Sequence, residues 1–114
     1  MTDVVFHIDE DARWDQLLSN LEDYSENFGD HSKIEVVING SAVRSFNGFD
    51  INPEHGKRMR TLANDGVRFT ICGNSLKNRQ IGKDNIPEDL VEIVPQGISE
   101  LVAKQGEGFA YIKP

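Results

Sequence analysis

The third apolar run of the chain reads Gly66-Val67-Arg68-Phe69-Thr70-Ile71-Cys72, and Gly73-Asn74-Ser75-Leu76 follows it directly. A short run rich in β-branched and aromatic residues predicts a strand. Glycine allows a sharp turn, and asparagine and serine are good N-cap residues, so we expect a short helix over residues 76–81. The only cysteine of the chain is therefore expected at the carboxyl end of a strand, facing the amino end of a helix.

This position makes Cys72 a candidate reactive group. Ligands of open α/β sheets bind at the carboxyl edge of the strands. The dipole and the free backbone N–H groups of a helix N-terminus favour a thiolate over a thiol, and the thiolate is the nucleophile. The alternative interpretation is a small buried hydrophobe that ends a strand, because free cysteine is among the most buried residue types.

Apolar runs and helical patterns alternate along the whole chain. Strands are expected over residues 3–8, 33–39, 67–72, 91–94 and 109–112, and further helices over residues 53–64 and 98–106. The clearest helix has an apolar stripe at three- and four-residue steps and ends near Gly29; the stripe consists of Trp14, Leu17, Leu18, Leu21, Tyr24 and Phe28. Residues 41–52 are ambiguous, with a break at Asn47-Gly48.

The order of these elements predicts an α/β domain with a mainly parallel sheet. Right-handed crossovers would then bring Asp9, Gly40, Cys72 and Pro95 to one edge of the sheet. The apolar run Phe109–Ile112 close to the chain end must lie inside the sheet or be covered by a partner subunit, because an exposed strand of this kind promotes aggregation.

Composition narrows the class of protein. The length of 114 residues predicts one domain, over residues 1–114, and hydrophobic and charged fractions of 38% and 27% are ordinary. No apolar run approaches a membrane span and the N-terminus lacks a signal-peptide pattern, so a cytoplasmic protein is expected. A net charge of −7 argues against nucleic-acid and anionic membrane partners.

Metal and nucleotide sites are not expected. One cysteine excludes an internal disulfide and any multi-cysteine metal site. The histidines His7, His31 and His55 are dispersed without metal-ligand spacing. Neither a Gly-x-Gly-x-x-Gly nor a Walker A sequence occurs, so no cofactor is predicted.

Other residues near the predicted edge are weaker candidates. His7 could act as a base or hydrogen-bond donor, or be a histidine satisfied beneath a helix. The pairs Asn39-Gly40 and Gln96-Gly97 could let the backbone approach a ligand closely, or form ordinary turns. The run Asp9-Glu10-Asp11 is expected to cap the first helix rather than form an acidic catalytic cluster.

Five segments occur in an order that resembles a known family: Phe6 to Asp9, Val37 to Gly40, Gly66 to Leu76, Val94 to Ile98 and Gln105 to Pro114. Together they are similar to the small, single-domain members of the DsrE/DsrF-like family, also called YchN-like. The resemblance implies a three-layer α/β/α fold with a five-stranded sheet, and a homo-oligomer, either a trimer or a hexamer. In sulfur-relay relatives, a cysteine after the third strand carries a persulfide and passes its sulfur to an acceptor protein, and Cys72 is the matching position.

The resulting hypothesis is sulfur relay or thiol redox handling through a persulfide on Cys72. The backbone N–H groups of Gly73, Asn74 and Ser75 would hold the anion, and Asn39 and Gln96 would line the rim. The full set of predicted ligand-binding residues is His7, Asn39, Gly40, Gly73, Asn74, Ser75, Gln96 and Gly97. The alternative is a non-enzymatic module that binds a small ligand or assembles into an oligomer, in which Cys72 is structural.

Overall fold

A computed structural model describes residues 2–47 and 52–114 of the chain. Within this part, five strands form one sheet in the order β4-β3-β2-β1-β5, and all four pairings are parallel. The strands are β1 (Val4–Ile8), β2 (Ile34–Ile38), β3 (Arg68–Cys72), β4 (Val91–Val94) and β5 (Ala110–Ile112). The helices are α1 (Trp14–Phe28), α2 (Pro53–Asn64), α3 (Gly73–Asn78) and α4 (Gly97–Gly106), and short 3-10 helices span Asp11–Arg13, Gly40–Phe46 and Lys83–Asn85. The predicted α/β class with a parallel sheet is confirmed.

The two faces of the sheet are covered unequally. Residues such as Phe6, Val36 and Phe69 pack into the larger core cluster with residues of α1, α2 and α3. The opposite face carries a small cluster of Val5, Val37, Leu101 and Phe109, beneath α4. Because side chains alternate along a strand, polar residues of β1, β2 and β3 that share this second face lie close to α4.

The start of α3 differs from the prediction. The helix begins at Gly73, directly after β3, and not at Leu76. Its N-cap residue is Cys72, whose Sγ accepts a hydrogen bond from the backbone N–H of Ser75 at 3.4 Å. The thiol sulfur therefore takes the capping place that was expected of Asn74 or Ser75, and no loop is needed between strand and helix.

The acidic run after β1 does not cap α1 through a side chain. A 3-10 turn over Asp11–Arg13 precedes the helix, and neither Glu10 nor Arg13 makes a side-chain cap hydrogen bond. Asp9 instead lies 3.3 Å from the Nζ atom of Lys113. The capping prediction was wrong because the chain turns through Asp11–Arg13 before the α-helical hydrogen bonds begin.

The remaining helix boundaries follow the sequence pattern more closely. Asn52 caps α2 by accepting from the N–H of Glu54 at 2.9 Å, with Pro53 in the first turn. The first part of the ambiguous stretch belongs to the 3-10 helix Gly40–Phe46, whereas residues 48–51, which include Gly48 of the predicted break, lie outside the described residues. No helix in the described part of the chain is both long and apolar enough to cross a membrane.

The last helix and strand leave apolar side chains in solvent. Strand β5 is an edge strand beside β1, and Tyr111 is 41% exposed. In α4, Leu101 is buried, but Ile98 and Val102 are 63% and 66% exposed. The small cluster beneath α4 takes in only Leu101 of these three residues, so Ile98 and Val102 face away from the sheet.

A charged cluster holds α4 to the sheet at the end opposite Cys72. Glu35 of β2 is 2% exposed, and its Oε1 atom lies 2.9 Å from Arg68 Nη1 of β3. The same nitrogen lies 3.4 Å from Glu100 of α4, and Lys104 Nζ lies 3.8 Å from Glu35 Oε1. The Oε2 atom of Glu35 has no hydrogen-bond donor within residues 2–47 and 52–114.

This environment favours a protonated Glu35. Burial raises the pKa of Glu35 most, and the hydrogen bond with the Glu100 carboxyl group raises it further. Arg68 and Lys104 lower the pKa of Glu35 but do not cancel these effects, and the result is a value of about 8. A protonated carboxyl group also avoids leaving a full negative charge buried beside the Glu100 carboxylate.

We predict that Glu35→Gln flattens the dependence of stability on pH. A carboxyl group with a raised pKa in the folded state stabilises the fold below its unfolded-state pKa, and this contribution is lost as the pH rises to about 8. The wild type should therefore lose up to about 1.4 kcal/mol per pH unit, relative to the variant, across this range. Urea unfolding at several pH values between these limits measures the difference.

The matched control is Glu92→Gln, since Glu92 pairs with the same Arg68 at 2.7 Å but has a side chain that is 60% exposed. Its free energy of unfolding should follow the pH dependence of the wild type. Parallel curves for wild type and Glu35→Gln would show that Glu35 is ionised in the folded protein.

Candidate functional site

The ends of β2 and β3 and the start of α4 meet at the carboxyl edge of the sheet. Cys72 ends β3, and Asn39 follows β2 directly. A Cβ atom added to Gly97 would lie 3.2 Å from Cys72 Cβ, 3.2 Å from Asn39 Cβ and 3.3 Å from Val37 Cγ1. The helix therefore begins in direct contact with both strand ends, and any side chain at residue 97 would crowd Cys72 and Asn39.

The thiol of Cys72 is buried but surrounded by hydrogen-bond donors. Burial raises the pKa of the Cys72 thiol, whereas hydrogen bonds from the Ser75 hydroxyl and from the backbone N–H of Gly97 lower it. The backbone N–H groups of Ser75 and Asn74 lower it further, so that the pKa of Cys72 lies below its ordinary value. Since the thiolate is the reactive form, this arrangement favours nucleophilic chemistry at Sγ.

Ser75 ties the cysteine helix to the loop after β2. Its Oγ atom accepts a hydrogen bond from the backbone N–H of Gly40 at 3.0 Å. Gly40 has a φ angle of +58°, and a Cβ atom there would lie 2.6 Å from the carbonyl oxygen of Asp9, so this position requires glycine. The hydroxyl that supports the thiolate is thereby held by a backbone turn that only glycine can make.

A second group of polar residues lies on the other side of Asn39. His7 of β1 is 8% exposed, and its Nε2 atom lies 2.7 Å from Asn39 Oδ1. The Nδ1 atom of His7 lies 2.6 Å from the hydroxyl oxygen of Tyr111 in β5. Because the amide oxygen can only accept, His7 donates from Nε2, and in the neutral ring Nδ1 accepts the proton of the Tyr111 hydroxyl.

The structure brings most of the predicted site residues to one edge. Gly97 touches Cys72 and Asn39, Gly40 contacts Ser75, and Gly73 begins the helix. The side chain of Gln96, predicted to line the rim, is exposed and accepts a hydrogen bond from Ser99 Oγ at 2.9 Å. The backbone N–H of Asn74, predicted to hold the anion, donates to the Pro95 carbonyl oxygen at 3.3 Å and also lowers the pKa of the Cys72 thiol. A ligand-binding role for this set remains a prediction.

Sequence reasoning missed Tyr111 as part of the site. Only the pairing of β5 with β1, in which Tyr111 lies opposite Val5, brings it near His7. It also missed the buried Glu35, for which a signal existed, since a single charged residue interrupts the apolar run Ile34–Ile38. Among residues 2–47 and 52–114, no group of three or more His, Cys, Asp or Glu side chains is arranged to hold a metal ion.

Comparison with known proteins agrees with this architecture. The chain matches the DsrE/DsrF-like family over residues 5–114. Among curated proteins, none matches the chain. The solved structure of MTH1491 from Methanobacterium thermoautotrophicum, a protein of unknown function, is similar with 34% identity and a TM-score of 0.87, each chain being covered over 100% of its length.

Two more distant solved structures share the fold. YchN of E. coli is 15% identical, with a TM-score of 0.75 and 100% coverage of both chains. BT1422 of Bacteroides thetaiotaomicron, a conserved protein of unknown function, is also 15% identical, with a TM-score of 0.75 over 98% of this chain and 94% of its own. The family match over nearly the whole chain and the identity with MTH1491 lead to one conclusion: this protein belongs to the DsrE/DsrF-like family.

Proposed function

We propose that this protein carries sulfur as a persulfide on Cys72. The observation that supports the proposal best is the hydrogen bonding to Sγ, including that from the backbone N–H of Ser75 at 3.4 Å, which lowers the pKa of a thiol that burial alone would raise. A lowered pKa favours the thiolate, which is the nucleophilic form, whereas a neutral thiol in an apolar site is inert. Family membership supports the same chemistry, since the position of Cys72 matches the persulfide cysteine of the sulfur-relay relatives.

The proposed chemistry needs no resident cofactor. The Cys72 thiolate attacks the outer, sulfane sulfur of a donor such as thiosulfate. A new S–S bond forms to Sγ while the S–S bond of thiosulfate breaks, and sulfite leaves with its electron pair. An acceptor thiolate then attacks the outer sulfur of the persulfide and releases the Cys72 thiolate. The donors around Sγ stabilise this anion as a leaving group.

The burial of Cys72 favours a second candidate function. The residue is only 5% exposed, which is typical of a cysteine that packs a strand end against helices. In that case the protein is a binding or assembly module, and the strand-end site or the surface of α4 does the binding. The reactivity of the folded protein toward a sulfur donor separates the two candidates.

We further propose that the chain forms a homo-oligomer through α4 and β5. Ile98 and Val102 are 63% and 66% exposed and lie four residues apart, on one face of α4, and Tyr111 on the edge strand β5 is 41% exposed. Exposed apolar side chains that share a face mark interaction surfaces. A second copy covering this surface would also place a neighbouring subunit close to the Cys72 site, since α4 begins at Gly97 beside that residue.

We predict that the folded protein gains one sulfur at Cys72 from a sulfane donor. After incubation with thiosulfate or polysulfide, intact-protein mass spectrometry should show an increase of about 32 Da that a reducing thiol reverses. Cys72→Ser keeps a residue of similar size and should gain no mass. A wild type that gains sulfur only after unfolding would instead support the binding or assembly module.

We predict that Ser75→Ala raises the pKa of the Cys72 thiol, because the Ser75 hydroxyl is the strongest of the donors that lower it. Alkylation by iodoacetamide at neutral pH should then be slower by a factor of about three or more. Ser99→Ala is the matched control, since Ser99 Oγ donates to Gln96 Oε1 near the start of α4 and, within the described residues, makes no hydrogen bond to Cys72. Equal alkylation rates in all three proteins would mean that the hydroxyl does not support a thiolate.

We predict that Val102→Glu weakens self-association. A charge in the centre of the proposed α4 surface must be desolvated when a second copy packs on it, which is costly without a partner. Sedimentation velocity should show a smaller species for this variant than for the wild type. Val102 is 66% exposed, so the subunit itself should keep its fold by circular dichroism. A monomeric wild type would refute the oligomer.

A further inference from the structure

Asn39 lies between the strand that carries Cys72 and the strand that carries His7. The sheet runs β3-β2-β1, so the residue that follows β2 lies between the end of β3, where Cys72 is, and β1, where His7 is. Continuing the pairing of Ile38 with Ile71 by one residue sets Asn39 beside Cys72. Both residues also touch the same point of α4, because a Cβ atom on Gly97 would lie 3.2 Å from each of their Cβ atoms.

The orientation of the Asn39 amide is fixed from the β1 side. Its Oδ1 atom accepts a hydrogen bond from His7 Nε2 at 2.7 Å, and Tyr111 holds the opposite nitrogen of the ring at 2.6 Å. A side-chain amide is planar and carries its oxygen and its nitrogen on one carbon, so the two atoms point in different directions. With Oδ1 engaged by His7 on the β1 side, the Nδ2 donors of Asn39 have no partner among residues 2–47 and 52–114 and are available to a group at Cys72, beside Asn39 on β3.

The Asn39 amide nitrogen is not needed by the thiolate itself. Sγ accepts a hydrogen bond from the backbone N–H of Ser75 at 3.4 Å, and groups of Ser75, Gly97 and Asn74 lower the pKa of the thiol. No hydrogen bond joins Asn39 Nδ2 to Sγ or to any other atom within residues 2–47 and 52–114. A persulfide adds a second sulfur at an S–S distance of about 2.05 Å, and this outer atom, which carries the negative charge, needs a donor of its own.

We propose that Asn39, oriented by His7 and Tyr111, donates a hydrogen bond from Nδ2 to the outer sulfur of a Cys72 persulfide. The inference rests on the proposed sulfur-carrier function and assigns separate donors to the two sulfurs. Asn39 is thus a residue of the reacting site, whereas His7 and Tyr111 are positioning residues that act through it.

The equilibrium of sulfur loading tests this assignment. At a fixed ratio of thiosulfate to sulfite, the ratio of persulfide to thiolate forms of Cys72 gives an equilibrium constant, which intact-mass spectrometry measures. Asn39→Leu removes the donor while keeping a side chain of similar size, and the constant should fall about tenfold because only the persulfide anion loses a hydrogen bond. The rate of alkylation of the unloaded thiol should stay within about twofold, since the donors to Sγ are unchanged.

The variant Tyr111→Phe tests whether Tyr111 affects sulfur loading by orienting His7 and Asn39. It removes one hydroxyl from an exposed position, frees His7 Nδ1 and should lower the loading constant in the same direction as Asn39→Leu. Asn78→Leu, at the exposed end of α3, is the matched control and should load as the wild type does. Loading constants that are equal in wild type, Asn39→Leu and Tyr111→Phe would overturn the proposal while leaving the sulfur carrier in place.

A second measurement does not require a sulfur donor. Methyl methanethiosulfonate transfers an S–CH3 group to the Cys72 thiolate and releases methanesulfinate, which places a sulfur atom where the outer persulfide sulfur would be. In the 15N-labelled wild type, the side-chain amide signals of Asn39 should then shift more than those of Asn78. If the Asn39 signals shift but the protein takes up no sulfur from thiosulfate or polysulfide, the position of Asn39 is supported and the sulfur-carrier function is refuted. Unmoved Asn39 signals on a modified Cys72 would refute the inference itself.

Discussion

The close approach of α4 to the ends of β2 and β3 is the contact on which the site depends. Gly97 lets the helix start close to Cys72 and Asn39, since a Cβ atom there would crowd both of them at 3.2 Å. The backbone N–H of Gly97 lowers the pKa of the thiol and so offsets part of the burial penalty that would keep the sulfur neutral. A helix that began farther from the sheet would remove this donor and shift the thiol toward its neutral, less reactive form.

Helix α4 also covers a second buried acid, Glu35, at the opposite end of the sheet. Glu35 and Cys72 are both buried acids on strands beneath α4, but their environments act in opposite directions. Around Cys72, N–H and O–H donors favour the anion, whereas burial and the neighbouring Glu100 favour the protonated form of Glu35. The neighbouring groups, and not the degree of burial, decide which ionisation state each residue favours, since both side chains are almost fully buried.

Much of the fold could be predicted from the sequence because its signals are local. Alternating apolar runs and helical stripes predicted all five strands and the helices between them. Helix starts were harder. The start of α3 was placed three residues late because asparagine and serine are strong capping residues, whereas the actual cap is the sulfur of Cys72. Capping by a cysteine has no sequence signature, because it depends on how tightly the helix follows the strand.

The sequence by itself determined the α/β class, the family and the position of Cys72 at a strand end. These follow from periodicity and from motifs that are continuous in the chain. Only the tertiary structure decided what surrounds the sulfur. His7 and Tyr111 are separated by more than one hundred residues, yet they share a hydrogen bond because β5 returns to pair with β1. Likewise, the exposure of Ile98 and Val102 follows from the width of the cluster beneath α4. The order of the strands and the positions of the helices on the sheet arise from the packing of distant segments, and no local pattern of residues encodes them.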